Sequence, residues 1–285
     1  MSRTSPADHA PGYRAIKFNW DWVTRPLFGG ALAALAIAAI FGGTIYIALF
    51  CALAAGAGAR EWHRMLGEPV FGPIFFITTL TVAAALATHV AWPASVASWF
   101  ILAAGASMAA AYAALRGHHP VWHGAGPIYL GVAMLALLVL RGEPQGAWIV
   151  VGMFIAIWAT DTGALISGNL IGGRRLWPAI SPSKTWAGTL GGIATAAVAE
   201  AIYIAVIGGR PDDAGLLGAG IAIVAVAGDL FESWVKRRFQ RKDSGALIPG
   251  HGGVLDRVDS TLFAAPVLAF IVVIVGLNPM FGAHP

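Results

Sequence analysis

Apolar runs long enough to cross a membrane follow one another along most of this chain. Residues 27–59, 70–91, 94–115, 121–140, 147–170, 185–207, 214–235 and 254–277 carry few charges or none. A helix crosses the hydrocarbon core with roughly 20 apolar residues, so each of the later runs predicts one spanning helix. The first run is long for one span and short for two, and Gly42 and Gly43 lie near its middle, where a tight turn can form.

The distribution of Lys and Arg chooses between one helix and two, because short loops on the inner side of a membrane are rich in these residues. A hairpin in the first run gives nine spans with the N-terminus inside. Every Lys and Arg except Arg141 and Arg210 then falls on the inner side. A single helix would move Arg3, Arg14, Lys17 and Arg25 across and blur that asymmetry. The expectation is an all-α polytopic membrane protein of about nine transmembrane helices, N-terminus cytoplasmic. The segments are an N-terminal stretch (1–26), an N-terminal set of helices (27–140), a C-terminal transmembrane region (141–277) and a tail (278–285).

Composition agrees. The chain has 285 residues, 58% hydrophobic and only 11% charged, with mean hydropathy +0.72; soluble domains carry about 25% charged residues. No large soluble domain fits beside the spans. The net charge of +4 reads as a topology signal rather than a nucleic-acid footprint. Cys51 is the single cysteine, so no intramolecular disulfide forms. The first 25 residues are too polar for the apolar core of a signal peptide and are expected to be retained. Tyr13, Ile16, Trp20 and Val23 have helical spacing, which fits either an interfacial helix or a disordered tail.

Against this apolar background the polar residues stand out. Asp161, Glu200, Asp229, Glu232, Asp256 and Asp259 lie within or at the ends of spans. A charge at the membrane centre costs about 2.5–3.5 kcal/mol even on a mild scale, so each needs a partner. Asp229 and Glu232 are three apart, and Ser233 and Lys236 continue the same helical face. Asp256 and Asp259 repeat the spacing at the start of the last span. Two such pairs can gather oxygen ligands for a hard cation such as Mg²⁺. The alternative is a set of structural ion pairs, Glu232 with Lys236 and Asp259 with Arg257 or another base. Glu200 has no evident partner.

The bases form two groups, Arg174-Arg175 with Ser181-Pro182-Ser183-Lys184-Thr185, and residues 236–242. Topology or anionic lipid explains part of them. It does not explain hydroxyls, a proline and a lysine just before a helix, which make a phosphate site of the helix N-terminus. The glycines of residues 245–253 add backbone donors that can approach a polyphosphate, although no Walker A spacing is present. His251, between Gly250 and Gly252, fits a binding role, because a phosphate nucleophile has no proton worth removing at neutral pH; the alternative is turn geometry. His118, His119 and His123 could bind a transition metal, but a hydrated loop accounts for them better.

These residues together resemble the phosphatidate cytidylyltransferase (CDP-diacylglycerol synthase) family. The likeness is continuous through Ser233-x-x-Lys236-Arg237, Lys242-Asp243, Pro249-x-His251-Gly252-Gly253 and Asp256-Arg257-x-Asp259. Asp161-Thr162-Gly163-Ala164, Ser181-Pro182-x-Lys184-Thr185-Trp186-x-Gly188 and Glu61-Trp62 are similar to the family as well. Leu165, Ala187 and the base-free Gly168-Asn169-Leu170 depart from it.

The resemblance implies that CTP and phosphatidic acid give CDP-diacylglycerol and pyrophosphate. It further implies Mg²⁺, a second cation such as K⁺, a homodimer, and a bacterial cytoplasmic membrane with the site facing the cytoplasm. Asp229, Asp256 and Lys236 are the expected catalytic residues, with Asp161 and Asp259 joining Asp229 and Asp256 around metal. Ser181, Lys184, Thr185, Ser233, Arg237, Lys242, Asp243, His251, Gly252, Gly253 and Arg257 are the expected substrate contacts. Partners are CTP, phosphatidic acid and membrane lipids, with no nucleic acid. A secondary transporter would instead show inverted repeats, a lipid kinase would release CDP, and a lipid-binding scaffold would not need acids beside the bases. One structural condition follows: residues 161–184 must meet residues 233–259.

Overall fold

The computed structural model describes residues 21–245, 247 and 252–276, with the backbone alone for 21–28, 211 and 212. The readings on most of the N-terminal segment, on His251 and on the C-terminal tail lie outside the described residues. Among the described residues nine α-helices follow in order: α1 (Asp21–Gly42), α2 (Thr44–Met65), α3 (Pro73–Ala91), α4 (Ala97–Leu115), α5 (Pro120–Gly142), α6 (Gly146–Leu170), α7 (Trp186–Val206), α8 (Pro211–Arg238) and α9 (Leu255–Ala269). A π-helical turn, Phe270–Ile274, continues α9. Eight stretches of these helices are long and apolar enough to cross a membrane, and α1 adds a shorter apolar stretch, Gly29–Gly42.

The first apolar run is two helices, and the break is at Gly43. Its φ of 114° is open to glycine and strained for other residues. The turn lies at the end of the bundle where α5 meets α6. There the Arg141 guanidinium Nε donates to the Ile40 carbonyl at 2.5 Å, and the Phe41 ring stands edge-on to Trp148. Proline opens α3, α5 and α8 at a position whose N–H has no helical partner.

Helix α5 is the centre of the bundle, with Leu130, Ala133, Leu135, Leu138 and Leu140 fully buried. Large apolar residues such as Leu53, Phe100, Leu190 and Leu216 face outward. That inversion of the soluble pattern suits a lipid surround, where helix association relies on close packing. Small residues supply it: a Cβ on Gly192 of α7 would stand 2.6 Å from the Thr160 carbonyl of α6. On Gly228 of α8 it would stand 2.6 Å from the Asp259 carbonyl of α9. The second approach brings Asp229 beside Asp259.

The all-α expectation misses one element. Residues Arg175–Trp177 (β1) and Ser181–Thr185 (β2) form a short antiparallel hairpin before α7. The serines and the lysine that precede this helix form a strand whose last residue, Thr185, is the N-cap of α7.

Candidate active site

Four helix ends meet at the end of the bundle opposite the Gly43 turn. They are the C-terminal parts of α2, α6 and α8 and the start of α9. The last turn of α8 carries Lys236, Arg237 and Arg238, and the first turn of α9 carries Asp256. Each sign matches the partial charge of its helix terminus.

Asp229 is held from two sides. The Lys184 ammonium lies 2.5 Å from its Oδ2, and the Ser233 hydroxyl donates to its Oδ1 at 3.3 Å. Lys184 comes from the hairpin, so residues 161–184 and 233–259 do meet. Asp161 of α6 is exposed at the same place, and the charges acting on it are those of Lys184, Asp229 and Arg257. Asp259 of α9 feels Asp229 and Asp161, with Lys236 as the neighbouring base. Its Oδ1 accepts from the Ser260 N–H at 2.6 Å. Three carboxylates from three helices thus lie near enough at the α6–α8–α9 junction for their charges to act on one another.

Asp256 is differently placed. Its Oδ1 accepts from Lys236 Nζ at 2.7 Å. Its Oδ2 accepts from the Ser244 hydroxyl at 2.8 Å and the Gly253 N–H at 3.0 Å. Oδ1 thus ties α9 to α8, and Oδ2 ties Ser244 and Gly253 to α9, so binding metal would displace one of these donors. Lys236 also stands 3.3 Å from Glu232 Oε1. Glu232 is fully buried and neither of its oxygens receives a hydrogen bond. The ion pair between Glu232 and Lys236, weighed from their spacing, is present, and it shares its lysine with Asp256.

Sequence reasoning assigned no role to Glu61. This α2 carboxylate is fully buried. Its Oε2 accepts from the Leu255 N–H, the first of α9, at 2.9 Å and stands 3.4 Å from the Ser244 hydroxyl. It caps α9 from another helix, where Val254 provides no side-chain cap. A buried acid in an apolar helix beside Trp62 was the available signal.

Glu61 also changes the reading of the glycines. A Cβ on Gly253 would lie 2.7 Å from Glu61 Oε2, and one on Gly245 would lie 2.7 Å from its Cδ. Those glycines make room for Glu61 and Ser244, before any question of a polyphosphate. Gly252, at φ 80°, supplies the turn into Gly253.

The remaining expected residues are placed as follows. Ser181 is buried in the hairpin, and the Thr185 hydroxyl accepts from the Gly188 N–H at 3.0 Å, using one of the free donors of α7. Arg237 donates through Nε to the Ile180 carbonyl at 3.4 Å, fastening α8 to the hairpin. Lys242 and Asp243 are exposed, and Asp243 lines a small pocket with Arg64, Arg241 and Ser244. Arg257 is exposed. Glu200 is remote, packed where α7 passes Gly218 of α8, and both its oxygens lack a hydrogen-bond partner. His123 is not hydrated: it is 1% exposed.

A family model described as the cytidylyltransferase family matches residues 23–275. The chain belongs to this family. The matched interval holds every residue of the junction. Among the chain's relatives, a phosphatidate cytidylyltransferase of Pseudomonas aeruginosa is 34% identical over 236 residues, covering 79% of this chain and 86% of its own. One from Brucella suis is 48% identical over 150 residues, 52% of this chain and 55% of that protein. One from Haemophilus influenzae is 41% identical over 152 residues, 50% and 52%. The matches to the Brucella and Haemophilus relatives therefore span about half of those proteins' length.

Oxygen donors alone, gathered from three helices, are the set that suits a hard divalent cation. Lysines beside them suit phosphate oxygens. The junction can therefore collect negatively charged phosphates and hold them in fixed relation.

Proposed function

We propose that this protein transfers the cytidylyl group of CTP to phosphatidic acid, giving CDP-diacylglycerol and pyrophosphate. The observation that carries this reading is the Lys184–Asp229 contact. It joins the hairpin to the carboxylates of α6, α8 and α9 at one end of a bundle whose outer surface is apolar. The cytidylyltransferase relatives support the choice of substrates.

A lipid phosphate oxygen attacks the α-phosphorus of CTP. One P–O bond forms, the bond to the bridging oxygen of the β-phosphate breaks, and pyrophosphate leaves with the electron pair. Both reactants are anions, so the protein's task is to neutralise and align them rather than to move protons. Lys184 and Lys236, already aimed into the junction, would bind phosphate oxygens. Arg237, Lys242 and Arg257 would extend that basic surface, with Ser181, Thr185 and Ser233 offering hydroxyls. Asp161, Asp229 and Asp259 would hold Mg²⁺, with Asp256 fixing Lys236, Ser244 and Gly253. A bound divalent cation would screen the phosphate charges and stabilise the transition state. A K⁺ ion as second cation, a homodimer, and a site on the cytoplasmic face of a bacterial inner membrane belong to the same reading. The acyl chains would remain in the bilayer beside the apolar helices.

The test uses purified protein in detergent with phosphatidic acid, Mg²⁺ and CTP labelled at the α-phosphate. Label in the lipid with equimolar pyrophosphate is expected, and a chelator should abolish it until Mg²⁺ is restored. Label entering lipid only from γ-labelled CTP, with CDP released, would make the protein a lipid kinase and overturn the proposal.

A further inference from the structure

A second polar cluster lies at the same end of the bundle, on helices that supply no carboxylate to the α6–α8–α9 junction. Glu68 sits in the turn between α2 and α3, His118 between α4 and α5, and His123 in the first turns of α5. One ligand atom from each of these residues lies within 4.8 Å of the others. His118 Nδ1 touches Glu68 Oε1, and His123 Nε2 stands 3.4 Å from the same oxygen. Two ligands of a tetrahedral zinc ion are about 3.3–3.4 Å apart, given bonds of about 2.0–2.1 Å. The carboxylate side chain is 7% exposed and His123 1% exposed, while His118, at 46%, opens the cluster to solvent.

What surrounds His123 makes this more than three neighbouring side chains. Its Nδ1 faces His63 Nδ1 at 3.0 Å, and His63 Nε2 faces the Thr78 hydroxyl at 2.7 Å. All three side chains are buried. Two Nδ1 atoms that close require one proton between them. If His123 carries it on Nδ1, His63 accepts there and donates its own Nε2–H to Thr78. Every group in the chain is then satisfied, and the lone pair of His123 Nε2 is left aimed at Glu68. Metal-binding histidines are held in this way, with the other ring nitrogen donating to a buried acceptor.

The frame is rigid as well. The Glu68 N–H bonds to the His63 carbonyl at 3.0 Å, and the His118 N–H to the Ala113 carbonyl at 2.8 Å. Gly126 of α5 leaves room for His63: a Cβ there would lie 3.2 Å from its ring.

We propose that Glu68, His118 and His123 bind one divalent transition-metal ion of the zinc class, clipping the α2–α3 and α4–α5 turns to α5. Two neutral imidazoles and one carboxylate suit such an ion and not Mg²⁺, which takes oxygen. The fourth position faces solvent beside His118. The clip fixes the end of α2, the helix that delivers Glu61 to the α9 N-terminus.

The test is direct metal binding. The protein is purified without a polyhistidine tag, stripped with a chelator and titrated with Zn²⁺ alone. Wild type should take up one tightly held ion per chain. Its Co²⁺ form should show the visible absorption of a four-coordinate site. Glu68→Gln and the solvent-facing His118→Ala should each weaken Zn²⁺ binding at least tenfold. Asp229→Asn, which alters the α6–α8–α9 junction, should bind Zn²⁺ as wild type does. Chelator should lower the melting temperature of wild type and leave that of His118→Ala unchanged. Failure of wild type to reach one ion per chain, or binding that survives both Glu68→Gln and His118→Ala, overturns the proposal. None of these readouts depends on cytidylyl transfer, so they stand or fall apart from that reading.

Discussion

Replacing Glu61 by Ala removes the acceptor of the first N–H of α9 from a site with no solvent to take its place. Glu61 is fully buried, and the Leu255 N–H reaches its Oε2 at 2.9 Å. The Ser244 hydroxyl has one proton and stands closer to Asp256, at 2.8 Å, than to Glu61, at 3.4 Å. The main loss is therefore the Leu255 bond. A hydrogen bond to a charged group contributes about 1.5–3 kcal/mol, and an orphaned buried donor costs a further share of about 1–3 kcal/mol. A loss near 3 kcal/mol follows. In detergent it would appear as a clear fall in melting temperature. Turnover with CTP should fall with it, because Ser244 and Gly253 hold Asp256 through the same connection. Glu61→Gln keeps an oxygen that can face Leu255 and should recover most of the stability. The assay pairs thermal unfolding with initial rates of CDP-lipid formation. Glu61→Ala melting with wild type, or Glu61→Gln as damaged as Glu61→Ala, would refute the capping argument.

Other substitutions probe the rest of the network. Asp256→Asn keeps the shape but weakens the hold on Lys236. CDP-lipid formation should drop by about 10²–10³ while circular dichroism in detergent stays unchanged, and near-normal turnover would remove Asp256 from the site. Lys184→Ala should raise the KM for CTP or lower kcat, read from initial rates across a CTP series; no change in either excludes Lys184. Gly253→Ala forces a methyl against Glu61 Oε2, 2.7 Å from the added carbon, and should cost about 1–3 kcal/mol in thermal unfolding. Lys236→Ala leaves Glu232 and Asp256 without their shared base, and breaking a buried pair costs about 3–5 kcal/mol. Its melting temperature should fall further than that of Lys184→Ala, whose ion pair is 23% and 30% exposed.

Periodicity and charge made the helices legible. The bounds of the apolar runs differ from the helix ends by a few residues, and the hairpin at Gly43 follows from a glycine pair and the positions of Arg141 and the N-terminal bases. The hairpin of β1 and β2 was not legible. It is short, is rich in Ser, Pro and Lys, and has no alternation to mark it. Asp229, Asp259 and Asp161 were found because an acid in an apolar helix needs a reason. Their separate placement from Asp256 could not be found that way, since spacing alone treats Asp256 and Asp259 as equals. The distinction comes from Ser244 and Gly253, which donate to Asp256.

Glu61 shows why the earlier half of the chain belongs to the site. Connection runs from Glu61 through the Leu255 N–H into α9, from Asp256 to Lys236, and from Lys236 to Glu232 in α8. Alongside it, Trp62 donates to the Trp122 carbonyl at 3.0 Å, and Trp122 packs on Trp234 and Phe239 of the α8 end. Tyr129 of α5 touches Phe231 and Phe263 from α8 and α9. A movement of α2 is therefore felt at α8 by a polar route and an aromatic one. The helices before residue 140 do more than anchor the chain: they set where α9 begins, and with it the position of Asp256 and, one turn later, Asp259. Substitutions in this half that leave the carboxylates untouched, such as Trp62→Ala, should then depress turnover as well as stability.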